Sequence, residues 1–203
     1  MNSFEIRNGI NHLIKKDRNL KRIIVSAPIC SIKPKKSYFI ALTRAIIGQQ
    51  LSLKAANSIN QKFLAFFNNH PTPEKILVTS VQALREKGLS TSKIKYLKDL
   101  SLKLQSKEVT LNGISLKSTE EIVNELTKIK GIGFWTVDMF LIFTLGRLNV
   151  LPVGDLGLKR AIMLNYSLEE LPDENLVREI ANKYNWDPYC SIASWYLWKS
   201  LEM

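Results

Sequence analysis

Two stretches of this chain place chemistry-bearing residues at telling intervals. Lys130-Gly131-Ile132-Gly133 is a short turn with a lysine at its head and glycines two residues apart. Glycine tolerates positive φ and lets another backbone come close. A helix starting at Phe134 leaves its first amides without intrahelical acceptors, at the positive end of its dipole. Gly131, Gly133, Trp135 and Thr136 can therefore present main-chain donors to a phosphate, with Lys130 adding charge. A plain connection between two helices has the same composition, but Ile132 can plug back between them and fix the loop. The second stretch, Leu151-Pro152-Val153-Gly154-Asp155, sets one carboxylate after a glycine. Asp155 suits two jobs equally: capping a helix, or stabilising positive charge and activating water.

Charge points to a class of partner. The 203 residues carry 29 Lys and Arg against 18 Asp and Glu, a formal net charge of +11. Such an excess suits a polyanion, although a lysine-rich soluble surface is the plainer explanation. The two cysteines, Cys30 and Cys190, are too few for an all-cysteine zinc or iron–sulfur site. Met139 to Leu145, the most apolar run, is too short to span a bilayer. The expectation is a reduced, cytoplasmic monomer with no membrane partner.

Helices must position these residues. Phe39, Leu42 and Ile46 recur at helical spacing, and Gly48-Gln49-Gln50-Leu51 interrupts them before Ser52 caps a helix carrying Ala56, Ile59 and Phe63. Thr72-Pro73 opens a short helix. Ser90 starts another, with Ile94, Leu97, Leu100 and Leu104 inward. Ser118 and Glu121 have capping-box spacing ahead of Ile122, Leu126 and Ile129. Phe134–Leu145 is apolar on most sides and predicts a central buried helix. Further helices are expected from Asp155, from Pro172, and from near Tyr189 to Leu201. Lys21–Val25 alone suggests a short strand. The pattern is all-α, with little or no β.

Gly131-Ile132-Gly133-Phe134-Trp135-Thr136, the run from Leu151 to Arg160, and Arg44-Ala45-Ile46-Ile47-Gly48-Gln49-Gln50-Leu51-Ser52 together carry a resemblance. The chain resembles the helix-hairpin-helix DNA glycosylases, and among them the alkylated-base enzymes called 3-methyladenine DNA glycosylase II. The resemblance spans roughly residues 37–199 and is to a short form, without the extra N-terminal domain of the larger bacterial enzyme. It implies a two-lobed helical fold, with residues 1–36 packing on a core of residues 37–203 and the hairpin at residues 118–146. The implied partner is double-stranded DNA containing alkylated bases. The implied activity is excision of alkylated purines such as 3-methyladenine by base flipping, initiating base excision repair. Excision of other damaged or mismatched bases, or DNA binding without catalysis, are the alternatives.

The same resemblance assigns roles. Asp155 matches the essential aspartate, and Asp138 is read as structural. Trp135 stands where bifunctional relatives carry a lysine nucleophile, which implies no strand cleavage. Trp135, Phe39, Met139 and Tyr189 are candidates for the base pocket, with Met139 at a tyrosine of the larger enzyme. Trp186-Asp187-Pro188-Tyr189-Cys190-Ser191 resembles the family's arginine–proline–tryptophan–arginine–serine run, with Cys190 replacing its second arginine. Gln50 is expected to fill the gap left by the flipped base, with Leu51 as the alternative wedge and Gln49 fixing the loop or touching the nucleotide backbone. No cofactor is required. A structural sodium ion is implied on the main-chain carbonyls of Thr127, Ile129 and Ile132.

Overall fold

The computed structural model describes residues 3–203; the first two residues of the 1–36 segment lie outside them. Twelve α-helices and no strand occur among the described residues. They are α1 (Ser3–Lys16), α2 (Arg18–Ser26), α3 (Tyr38–Gly48), α4 (Leu53–Phe66), α5 (Pro73–Val78), α6 (Val81–Glu86), α7 (Thr91–Gln105), α8 (Thr119–Leu126), α9 (Phe134–Phe140), α10 (Leu156–Asn165), α11 (Glu174–Lys183) and α12 (Cys190–Ser200). A single 3-10 turn covers Ile114–Leu116, and α9 runs on into a π-helical segment, Leu141–Leu145. Among the described residues no helix is long and apolar enough to cross a membrane. The helix starts follow their caps: Ser52, Thr72, Ser80, Ser90, Asp155 and Asp173 each accept a first-turn amide, and Ser118 with Glu121 forms a complete capping box.

The chain divides into two compact units, residues 1–35 with 141–203, and residues 36–140. In the first, α12 packs on α1, α2 and α10. Every residue from Cys190 to Leu197 is buried, so α12 is surrounded on all sides. Lys21–Val25, expected as a strand, is helical. Leu20, Ile23 and Ile24 fall on one buried stripe, and Asp17 caps the helix by accepting from the amides of Asn19 and Leu20. The Asp17 carboxylate is fully buried and also accepts from Tyr166 Oη and from Trp186 Nε1 at 2.8 Å. Residues 3–35 thus belong to the core of their unit.

In the second unit, α7 packs on α3, α5 and α6, while α9 packs on α3 and α8. The apolar stripe of α7 buries Ile94, Leu97 and Leu100. α6 had no clear signal in the sequence; Ser80 caps it and Leu84 anchors it. The burial expected of Phe134–Leu145 begins at Thr136, and Asp138, Met139, Phe143 and Leu145 beyond it are half-buried. Phe134 is 72% exposed and Trp135 44%, because the first turn of α9 emerges from the glycine turn toward solvent.

Candidate DNA-binding and catalytic residues

In the unit of residues 36–140, the two glycines of the hairpin do different work. Gly131 takes φ 82°, and a Cβ there would come within 2.2 Å of Tyr96 Cδ2. It is required by the protein itself. Gly133 has ordinary φ and nothing within 4 Å of where a Cβ would stand. Glycine permits positive φ at both positions, and the turn uses it at Gly131 alone. What Gly133 leaves open is the space in front of the first turn of α9.

The hairpin is braced from α7 and from the loop after α3. Asp99 Oδ2 accepts the Lys130 amide at 2.8 Å, and the Lys130 ammonium lies 3.9 Å from Asp99 Oδ1 with its side chain largely exposed. The Lys130 amide is thereby committed, which leaves later amides as donors. Gln49 Nε2 donates to Gly131 O at 2.7 Å and lies 3.4 Å from Thr136 Oγ1. Thr136 is buried, with its hydroxyl beside the Gln49 carboxamide. Ile132 is buried as expected, and its amide bonds Ile129 O at 3.0 Å. The carbonyls of Thr127, Ile129 and Ile132 are neutral oxygen donors, the chemistry that suits a monovalent cation. Ile129 O keeps a second lone pair beyond that hydrogen bond.

Gln50 is the exposed tip of the loop between α3 and α4, with φ 57°. A left-handed non-glycine residue costs about 1–2 kcal/mol, so this loop stores strain where the side chain projects. Leu51 is 37% exposed, and its amide closes the turn on Gly48 O at 3.3 Å. Phe39, Met139 and Asp138 are half-buried in the same unit.

In the other unit, Asp155 is the N-cap of α10. Its Oδ1 accepts the Leu158 amide at 2.6 Å and the Trp198 indole N–H at 2.7 Å. Gly157 leaves the room, since a Cβ there would stand 3.1 Å from Oδ1. The Trp198 ring is backed by Phe143, with centroids 5.6 Å apart. Ser191 holds the loop that delivers Asp155: its amide donates to Leu148 O at 2.9 Å, and its Oγ accepts the Val150 amide at 2.9 Å. Sequence reasoning overlooked both residues. Trp198 reads as one more packing aromatic, while Ser191 had a signal, being the serine that matches where Cys190 does not. Tyr189 packs against Gly9 and lies 5.4 Å from the His12 ring, on α1 of its own unit. Cys190 is buried and its thiol is pushed up to about 12, by burial first and by the Asp187 charge second.

The chain has relatives among known proteins. A DNA-3-methyladenine glycosylase of Schizosaccharomyces pombe is 35% identical over 95% of this chain and 86% of its own. A longer Bacillus subtilis relative is 35% identical over 82% of this chain, which spans 60% of it. The structure of an S. pombe 3-methyladenine DNA glycosylase in complex with abasic DNA superposes with a TM-score of 0.85, at 33% identity and 97% coverage of both chains. Residues 43–185, which include the Gln49–Gln50 loop, the hairpin and Asp155, match the family profile. The chain belongs to the HhH-GPD superfamily of base excision DNA repair proteins.

Proposed function

We propose that the chain is a monofunctional DNA N-glycosylase that excises alkylated purines, 3-methyladenine among them, from duplex DNA. The observation that carries this reading is the Asp155 carboxylate, held at a helix start by the Leu158 amide and the Trp198 indole. Departure of the base leaves positive charge on the deoxyribose, and a fixed carboxylate stabilises that charge as it forms. The same oxygens orient the water that completes the hydrolysis. An alkylated purine already bears positive charge and leaves readily, so the chemistry asks for no second acid.

The remaining residues bind and open the duplex. The first-turn amides of α9, with the space that Gly133 leaves open, receive a backbone phosphate, and Lys130 adds charge. A monovalent cation on the Thr127, Ile129 and Ile132 carbonyls would help fix the phosphate when bound and take no part in bond cleavage. Gln50 enters the gap left by the flipped nucleotide, where its carboxamide can pair with the orphaned base. Trp135, half-exposed, offers a π-face to an electron-poor base, with Phe39 and Met139 as further walls. An indole at position 135 forms no Schiff base, so the product is an intact abasic site on an uncut strand. The enzyme acts as a monomer.

Methylated duplex DNA incubated with the chain should release 3-methyladenine, identified by chromatography, without strand scission until alkali is added. Asp155→Asn should reduce release at least about a hundredfold, the scale of a lost transition-state charge contact, while duplex binding persists. Release of no alkylpurine by the native chain would overturn the specificity, and full activity of Asp155→Asn would overturn the mechanism.

A further inference from the structure

Within residues 36–140 lies a cavity of about 580 Å³, one side of which the roles above leave unused. Gln50, Gly131 and Trp135, which already have roles, contribute one side of it, and Ser90, Ser92, Lys93 and Tyr96 of the α7 start contribute the other. Lys93 is half-buried, and burial holds its ammonium below the usual lysine range. No carboxylate among the described residues is paired with it. Asp99, the acidic residue of α7, is engaged with Lys130 instead. A desolvated cation facing a polar cavity without its own anion is arranged to receive one. The cavity is larger than a phosphate needs. Its hydroxyls and carboxamides, beside the Tyr96 ring that covers Gly131, suit the sugar attached to it.

We propose that this cavity seats one sugar–phosphate unit of the DNA backbone beside the Gln50 loop, with Lys93 bonding its phosphodiester. The inference rests on the reading of the chain as a DNA-handling enzyme, and it adds a backbone contact through Lys93 to that of the first turn of α9, whose Trp135 borders the same cavity. Two backbone contacts beside the Gln50 loop would hold the duplex while the stack is opened.

The test uses the full chain and a labelled duplex bearing an abasic-site analogue. Affinity is measured across a salt series and across a set of duplexes in which single phosphates are replaced by neutral methylphosphonates. Lys93→Gln should reduce the slope of log K against log salt by about 1, the share of one phosphate contact. One methylphosphonate position that weakens the native chain should have no further effect on Lys93→Gln, and Lys93→Arg should restore sensitivity there. Lys95→Gln, exposed on the same helix, should leave the positional pattern unchanged. A Lys93→Gln variant with native slope and native pattern would overturn the proposal. So would a slope change shared by Lys95→Gln with no change in pattern, because that is a general charge effect. A native chain that binds no duplex would instead overturn the DNA reading on which the proposal stands.

Discussion

At the scale of single residues, the carboxylate that caps α10, Asp155, is also the one proposed for catalysis, and the two purposes do not conflict. Capping α10 consumes Oδ1, and the same geometry fixes the plane of the group. The Trp198 N–H reinforces that plane from 43 residues away. A hydrogen bond to a charged acceptor is worth about 1.5–3 kcal/mol, and an indole can supply it only if Phe143 and α12 hold the ring in place. Trp198→Phe should therefore lower the single-turnover excision rate about tenfold or more, with duplex affinity little changed. A rate equal to that of the native chain would show that the Leu158 amide alone orients the carboxylate.

At the scale of elements, the hairpin separates what folding needs from what binding needs. Gly131→Ala forces a Cβ into the Tyr96 ring at positive φ. It should lower the melting temperature, because left-handed strain and overpacking each cost about 1 kcal/mol or more. Gly133→Ala meets open space. It should leave the melting temperature close to native and still weaken duplex binding, since the added methyl occupies the approach to the α9 amides. Calorimetry and a binding titration on the two variants separate these outcomes. Equal losses of stability would contradict the division of labour between the two glycines. Gln49 belongs to this scale too: its bond to Gly131 O ties the strained Gln50 loop to the hairpin, so that wedge and anchor move together.

At the scale of the whole molecule, the charge of +11 makes DNA binding salt-dependent, and the buried thiols make stability pH-dependent. Cys30 and Cys190 are buried and free, with thiols pushed from 9.0 to about 11 and about 12. Burial is the main cause in both, so neither behaves as a reactive thiolate at neutral pH. In the unfolded chain they ionise near their ordinary value, so above that pH the native state holds more protons than the unfolded one. Their contribution is complete below the unfolded value and declines as pH rises through it toward the folded values. The melting temperature should fall as pH rises from about 9 to about 10.5. A Cys30→Ala, Cys190→Ala double variant should show a flatter fall, and parallel curves would mean that other groups carry the whole effect. The buried Tyr166 and Tyr196 hydroxyls, also raised, add the same sign at higher pH.

What was legible in the sequence is whatever depends on neighbours along the chain. Helix caps at Ser52, Ser90 and Ser118, the 3.6-residue stripes, and the glycine turn all follow from local backbone chemistry, and each appears where its residues require it. So does the all-α class, apart from Lys21–Val25, where an apolar run too short to reveal its period was resolved by the Asp17 cap and by burial. Tertiary structure alone decided which side chains meet. The Trp198–Asp155 bond, the Ser191 clamp on the 148–150 loop, the Tyr96 ring over Gly131 and the Gln49 tie to the hairpin join residues 35 to 82 positions apart. No local periodicity encodes such pairs, because they arise from the packing of whole helices. The proposed phosphate seat was visible in the sequence as two glycines. That one serves the fold and the other leaves space became visible only when Tyr96 was brought against Gly131.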